Sequence, residues 1–178
     1  MINHMFYVPM MHFKSSWNKE IKDEVLSRLS KSRLFREENT NTNYSPLFYN
    51  NPEYKEFVVT CLREDLNNFA KDIEVPRDSL VVKDMWHETS EKNDCHIIHN
   101  HGAIGYSACW YVDFDFDEHL GTTFYSPFNN FLSGSVIPYR PLVAEGDVVF
   151  FPSSIMHEAQ PNKSNKPRTV VSFNISIE

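Results

Sequence analysis

At Pro76 the hydrophobic period of this chain changes. Before that residue apolar side chains recur every three or four positions, and after it they recur close to every two. From Ser16 to about Leu29, Trp17, Ile21, Val25 and Leu29 fall every fourth residue with charges between them. That is the pattern of an amphipathic helix with one buried stripe. A second helix is expected to open at Asn51-Pro52, a cap residue followed by proline at the first helical position. Tyr54, Phe57, Val58, Cys61, Leu62, Leu66, Phe69 and Ile73 line one side of it. The intervening REENTNTNYSP is polar and turn-rich and reads as a loop.

Beyond Pro76, SLVVKDMWHE, GYSACWYVDFDF, GTTFYSP, GSVIPYRPLVA, GDVVFFPSS and RTVVSFNISI read as short strands. All five glycines lie in this half, four of them opening those segments. Six or more such strands suggest a sandwich or jelly roll, with helices packed on a mostly antiparallel β-core. We expect one domain over residues 1–178, with helical support in 1–75 and the β-core in 76–178.

A net charge of −7 leaves no basic footprint for nucleic acid or for an anionic membrane surface. No apolar run approaches the roughly 18 residues needed to span a bilayer. MINHMFYVPMMHF lacks a basic leader and a small-residue cleavage site, so no signal peptide is expected. Cys61, Cys95 and Cys109 are odd in number and unclustered, which favours free thiols in a reducing cytoplasm. These features fit an enzyme acting on a small molecule or a peptide. The oligomeric state is not legible.

The stretch HIIHNHG concentrates His96, His99 and His101 in a chain with eight histidines. On a strand, residues i and i+2 share a face, so His99 and His101 could direct two imidazoles at one ion. His96 has the opposite parity and fits least well. A third ligand should come from elsewhere, and His157, after GDVVFFPSSIM, is the obvious candidate. His4, His12, His87 and His119 have no comparable partners. Arg168 opens the last strand eleven residues after His157. A metal with an arginine on a neighbouring strand can hold an anionic chelating cosubstrate, its far carboxylate paired to the guanidinium. Taken singly, each histidine reads equally as a satisfied strand residue and Arg168 as a surface charge; together they favour the site. Ser172 and Asn174 share the parity of Arg168 and could face the same cavity.

The ordered set MWHETSEKNDCHIIHNHG, SACWYVD, LGTTFYSP, EGDVVFFPSSIMHEAQPN and RTVVSFNI resembles the 2-oxoglutarate- and Fe(II)-dependent oxygenases. Within them it is most similar to a bacterial and phage branch with an HxH motif, related to prolyl hydroxylases. The resemblance covers roughly residues 80–178 and implies a double-stranded β-helix, the cupin-like jelly roll, with flanking helices. It implies Fe(II), 2-oxoglutarate and O2 as the working set. By similarity His99 and His157 fall on the histidine ligands and Arg168 on the residue pairing the 5-carboxylate of 2-oxoglutarate. Tyr111 matches a tyrosine that hydrogen-bonds that carboxylate, its other reading being a packed core aromatic. Ser172 and Asn174 join the cosubstrate set, Asn174 with a second option near the metal. The departure is His101, where most relatives carry aspartate in a 2-His-1-carboxylate triad. A shifted alignment, His101-Gly102-Ala103, would instead resemble the halogenase pattern.

The implied activity is hydroxylation of a C–H bond with release of succinate and CO2, a peptidyl prolyl side chain being one substrate the relationship suggests. A free amino acid or small metabolite is the other. Loops 36–50 and 114–140 are expected to form the entrance, with Phe114, Phe116, Phe124, Tyr125, Phe128 and Phe131 as an aromatic wall. Two rivals belong to other classes: a cupin-like three-histidine dioxygenase that does not use 2-oxoglutarate, and a non-catalytic β-fold binding module.

Overall fold

The computed structural model describes residues 7–31, 35–36, 43–45 and 52–178. His4, the expected cap Asn51 and most of the loop 36–50 lie outside the described residues. In chain order the elements are β1 (Met11–Lys14), α1 (Lys19–Ser30), β2 (Phe35–Arg36), β3 (Asn43–Ser45), α2 (Pro52–Cys61) and α3 (Arg63–Asp72). A 3-10 turn (Arg77–Ser79) then leads to β4 (Leu80–Ser90), β5 (His96–His99), β6 (Tyr106–Asp113) and β7 (Thr123–Tyr125). The chain ends with β8 (Pro138–Tyr139), β9 (Asp147–Pro152), β10 (His157–Ala159) and β11 (Arg168–Ile177).

The change of period at Pro76 separates the helices from β4–β11, but β1, β2 and β3, all before it, join the large sheet, so the β-core is not confined to residues 76–178. Helix α1 starts at Lys19, three residues after the expected Ser16, because the Asn18 side chain accepts from the Ile21 amide and caps it. The second helical run is two helices. The chain departs from helical geometry at Leu62, whose fully buried side chain keeps the apolar stripe continuous across the break. The segment read as a loop also holds strand: Asn43–Ser45 pairs with Thr89, Glu88 and His87 of β4. Its polar side chains hid a strand that gains its place through backbone pairing.

All pairings are antiparallel and form two sheets. A seven-stranded sheet runs β1-β9-β6-β11-β4-β3-β2, and a four-stranded sheet runs β5-β10-β7-β8. This is the double-stranded β-helix, or jelly roll, in a mostly β chain with flanking helices. Strand β6 shows how the large sheet is sided. Ala108, Trp110 and Val112 join Val25, Val58, Leu66 and Phe69 in the core beneath the helices. Cys109 and Tyr111 point the other way, into a second cluster with Phe124, Val149 and Phe151. Phe69 stacks on Phe150 at 4.5 Å and Trp17 meets Trp110 edge-on at 5.1 Å, which ties the helices and the N-terminal segment to the sheet.

One glycine near the site is required by shape. Gly105 has φ +89°, and a Cβ there would stand 2.5 Å from the Ile175 carbonyl oxygen. Its own carbonyl accepts from the Ser153 amide, which closes the turn before β6. No helix among the described residues is long and apolar enough to cross a membrane.

Candidate metal centre

Three neighbouring strands of the large sheet present one face to a single cavity. The register sets Arg168 opposite Ser90, Val170 opposite Glu88 and Ser172 opposite Trp86. On the other side of β11, Ser172 meets Cys109 and Val170 meets Tyr111. These eight residues form the floor, and His96, His99 and His157 of the small sheet line the same cavity with His101.

His99, His101 and His157 come together, with candidate ligand atoms all within 4.8 Å of one another. The reason differs from simple strand parity. Strand β5 ends at His99, and His101 lies past it, where its amide donates to the Ser153 carbonyl at 2.8 Å. A turn, rather than the pleat, brings the second imidazole round. His157 stands directly opposite His99 in the β10–β5 pairing. Ala103, the residue that the halogenase-like alignment requires, is exposed.

The hydrogen bonds fix the tautomers. His99 Nδ1 lies 2.8 Å from the Ile97 carbonyl and His157 Nδ1 lies 2.8 Å from the Ile155 carbonyl. A carbonyl only accepts, so both protons sit on Nδ1 and both Nε2 atoms are bare. His101 Nδ1 lies 2.8 Å from Ser107 Oγ, which itself donates to Asn174 Oδ1 at 2.8 Å. With its single proton so used, Ser107 accepts from His101, and Nε2 of that ring is bare as well. His99 Nε2 and His101 Nε2 are 3.2 Å apart. Two lone pairs facing at that distance repel unless a cation stands between them, and this is how imidazole ligands surround a first-row metal. Burial pushes the His157 imidazole down to about 3 and that of His101 down to about 4, and it lowers His99 too, with the neighbouring rings adding in each case. All three rings are therefore neutral at pH 7.

Arg168 is 3% exposed, and its guanidinium donates to the Leu120 carbonyl at 2.7 Å and more distantly to that of Gln160. No acidic side chain among the described residues lies within ion-pair distance of it. A buried cation with neutral acceptors only is set up for an anionic ligand. Tyr111 lines the cavity, but its hydroxyl is engaged: it donates to Thr122 Oγ1 at 3.0 Å and accepts from the Thr122 amide at 3.2 Å. Ser172 faces the same space, beside the Cys109 thiol at 3.8 Å. Asn174 is not among the residues that line the cavity. It holds Ser107 from behind, and its own amide donates to Asp84.

Sequence reasoning missed Glu88, Ser107 and Thr122. Glu88 is the cavity's acid, accepting at Oε1 from Trp86 Nε1 (3.0 Å) and His96 Nδ1 (2.9 Å). Alternation from Arg168 across the β11–β4 register would have found it. The expected aromatic wall does not form as one surface: Phe114 and Phe124 are buried, whereas Phe116 and Phe131 are exposed. Phe124 and Phe151 instead pack against the His157 ring and continue into an apolar groove with Tyr125, Ile137 and Tyr139.

The family of 2OG-Fe(II) oxygenases matches over residues 84–174, half of the chain and all of the cavity floor. The chain belongs to that family, whose members work with Fe(II), 2-oxoglutarate and O2. No curated protein sequence matches it significantly. Among solved structures, it is similar to the α-ketoglutarate-dependent epimerase SnoN from nogalamycin biosynthesis, with TM-score 0.73 and 14% identity over 94% of this chain and 77% of that one. HygX from Streptomyces hygroscopicus, bound to nickel and 2-oxoglutarate, gives 0.72 and 14% over 96% and 83%. A Pseudomonas putida prolyl-4-hydroxylase gives 0.63 and 12% over 95% and 92%. At these identities the likeness concerns the fold.

Proposed function

We propose that residues 1–178 act as one oxygenase domain that hydroxylates a C–H bond, with release of succinate and CO2. One observation carries this reading: three bare imidazole nitrogens and a buried arginine with no acidic partner among the described residues share a single cavity. His99, His101 and His157 would hold Fe(II), and Arg168 would take the far carboxylate of 2-oxoglutarate in a charge-assisted pair. Fe(II) supplies oxygen activation when bound; the protein supplies orientation and a cavity from which bulk water is kept. Val170, Cys109 and Tyr111 give the cosubstrate a largely apolar bed. Ser172 offers a hydroxyl along its length, and Tyr111 would reach it only by releasing Thr122. Asn174 acts on the metal side, by holding Ser107 against His101.

For the substrate we favour a peptide carrying proline. The apolar groove runs from Phe124 and Phe151, whose rings pack on His157, past Tyr125 and Ile137, and suits an extended segment with a compact apolar side chain. A small metabolite is the alternative. Free thiols at Cys61, Cys95 and Cys109 favour a cytoplasmic setting.

The test has two arms. Anaerobic addition of 2-oxoglutarate to the Fe(II)-loaded protein should give a metal-to-ligand charge-transfer band, lost in Arg168→Ala. Aerobic succinate release should then be stimulated by members of a proline-containing peptide library. Absence of the band in wild type would turn the reading toward a three-histidine dioxygenase that does not use 2-oxoglutarate. Metal and cosubstrate binding without succinate from any peptide or metabolite would favour a binding module.

A further inference from the structure

The ligand set raises a problem of charge. A divalent ion, three neutral imidazoles, a dianionic ketoacid and the Arg168 guanidinium together leave one net positive charge in a buried space. A carboxylate ligand would cancel it, and His101 is not one. We propose that Glu88 supplies that negative charge from outside the ligand set and acts as the charge-balancing, positioning residue of the metal centre. This inference rests on the metal and cosubstrate reading above.

The geometry is specific. Glu88 is 9% exposed, lines the same cavity and lies beside Val170, between the arginine end and the Trp86 end of the floor. Its Oε1 accepts from Trp86 and from His96. The His96 ring stacks face to face on His99, centroids 3.9 Å apart and planes 14° from parallel. The carboxylate thus holds His96, and His96 holds the plane of a ligand. Burial works against the charged form of Glu88, but the hydrogen bonds from His96 and Trp86 offset it and keep the carboxyl below its ordinary range. No other acid among the described residues lines the cavity.

Glu88→Gln tests this with little change of shape, because the amide oxygen can still accept from both donors. Co(II), followed by its visible absorption, is the probe for cation affinity, and anaerobic 2-oxoglutarate binding to the Co(II) protein is the probe for anion affinity. Loss of a negative charge should act with opposite signs: Co(II) about tenfold weaker, 2-oxoglutarate as tight or tighter. Glu88→Asp keeps the charge and should recover most of the Co(II) affinity. Structural damage would weaken both ligands together, and that result, or Co(II) affinity unchanged in Glu88→Gln, overturns the charge-balancing role while leaving the metal centre intact. A wild-type protein that binds no Co(II) overturns the metal reading itself.

Discussion

The two sheets that enclose the cavity are built by different rules. The large sheet contributes its side chains by plain alternation: Arg168, Val170 and Ser172 on β11 face Ser90, Glu88 and Trp86 on β4. The small sheet contributes histidines from places where alternation fails. His101 follows the end of β5, and the β10–β5 pairing shifts register between His157 and Ala159, which face His99 and His96. Between those pairs one residue of β10, Glu158, opposes two of β5, Ile97 and Ile98, a bulge that lets His96 stack on His99 despite their opposite parity. Long regular strands give a firm floor on which charges can be set at fixed intervals. Short irregular ones let imidazoles from separate segments converge on a point. The division suggests that the small sheet holds the cation and the large sheet holds the anion, and that claim can be broken.

The largest effect should come from His157→Ala. Removal of a ligand should weaken Co(II) binding more than about a hundredfold, beyond the roughly 10–100-fold that outer hydrogen-bond partners carry. Isothermal titration of the metal would check it. Arg168→Ala should do the reverse, leaving Co(II) affinity within a few-fold of wild type while weakening 2-oxoglutarate at least about thirtyfold. That figure is the lower end of the ~2–5 kcal/mol lost when one partner of a buried charge pair is truncated. A protein in which either variant lost both ligands equally would not divide its work between sheets.

The same contrast explains what could be read from the amino acids. The period switch at Pro76 and the apolar alternation of SACWYVD were legible because long strands impose a period on their sequence. Arg168, His99 and His157 were legible through motif spacing and resemblance. His101 was singled out through parity, although a turn is what delivers it. Glu88 and Ser107 went unseen for a different reason: each matters through a partner on another segment, His96 or His101, and such pairings have no local signature. Tyr111 was read two ways, as a carboxylate partner or a packed core aromatic: its ring belongs to the inter-sheet core, and its hydroxyl is engaged by Thr122. The strand at Asn43–Ser45 was hidden by its polarity, since pairing through backbone groups asks little of side chains.

A smaller effect sharpens the picture of the small sheet. Ser107→Ala removes the acceptor that keeps the His101 proton on Nδ1, so this ring should populate the tautomer with Nε2 blocked. Co(II) affinity should fall about tenfold, the lower end for an outer partner. Asn174→Ala should have a weaker effect of the same kind, since it acts through Ser107, and neither should alter 2-oxoglutarate binding to the metal-loaded protein.

The smallest effect separates the faces of one strand by pH. His87 and Glu88 are neighbours on β4, but Glu88 faces the cavity and His87 does not line it. His87 is 2% exposed and its Nδ1 has no hydrogen-bond partner among the described residues; burial pushes its imidazole down to about 4, partly opposed by Glu88. His101 and His157 are depressed likewise by burial. A histidine depressed in the folded state takes up its proton more readily when unfolded. The stability each neutral ring contributes is therefore fully present above the unfolded value near 6.5 and is lost as pH falls toward the folded one. The metal-free protein should thus melt at progressively lower temperature from about pH 6.5 to pH 4, each ring costing up to about 1.4 kcal/mol per pH unit. Divalent metal should protect against the share due to His101 and His157, because bound imidazoles cannot take a proton. The share due to His87 should persist with metal and disappear in His87→Leu. Thermal melts of both proteins at pH 7 and pH 5, with and without Co(II), separate the two. Equal acid sensitivity in wild type and His87→Leu under saturating metal would place the whole effect at the metal centre and leave the far face of the large sheet inert.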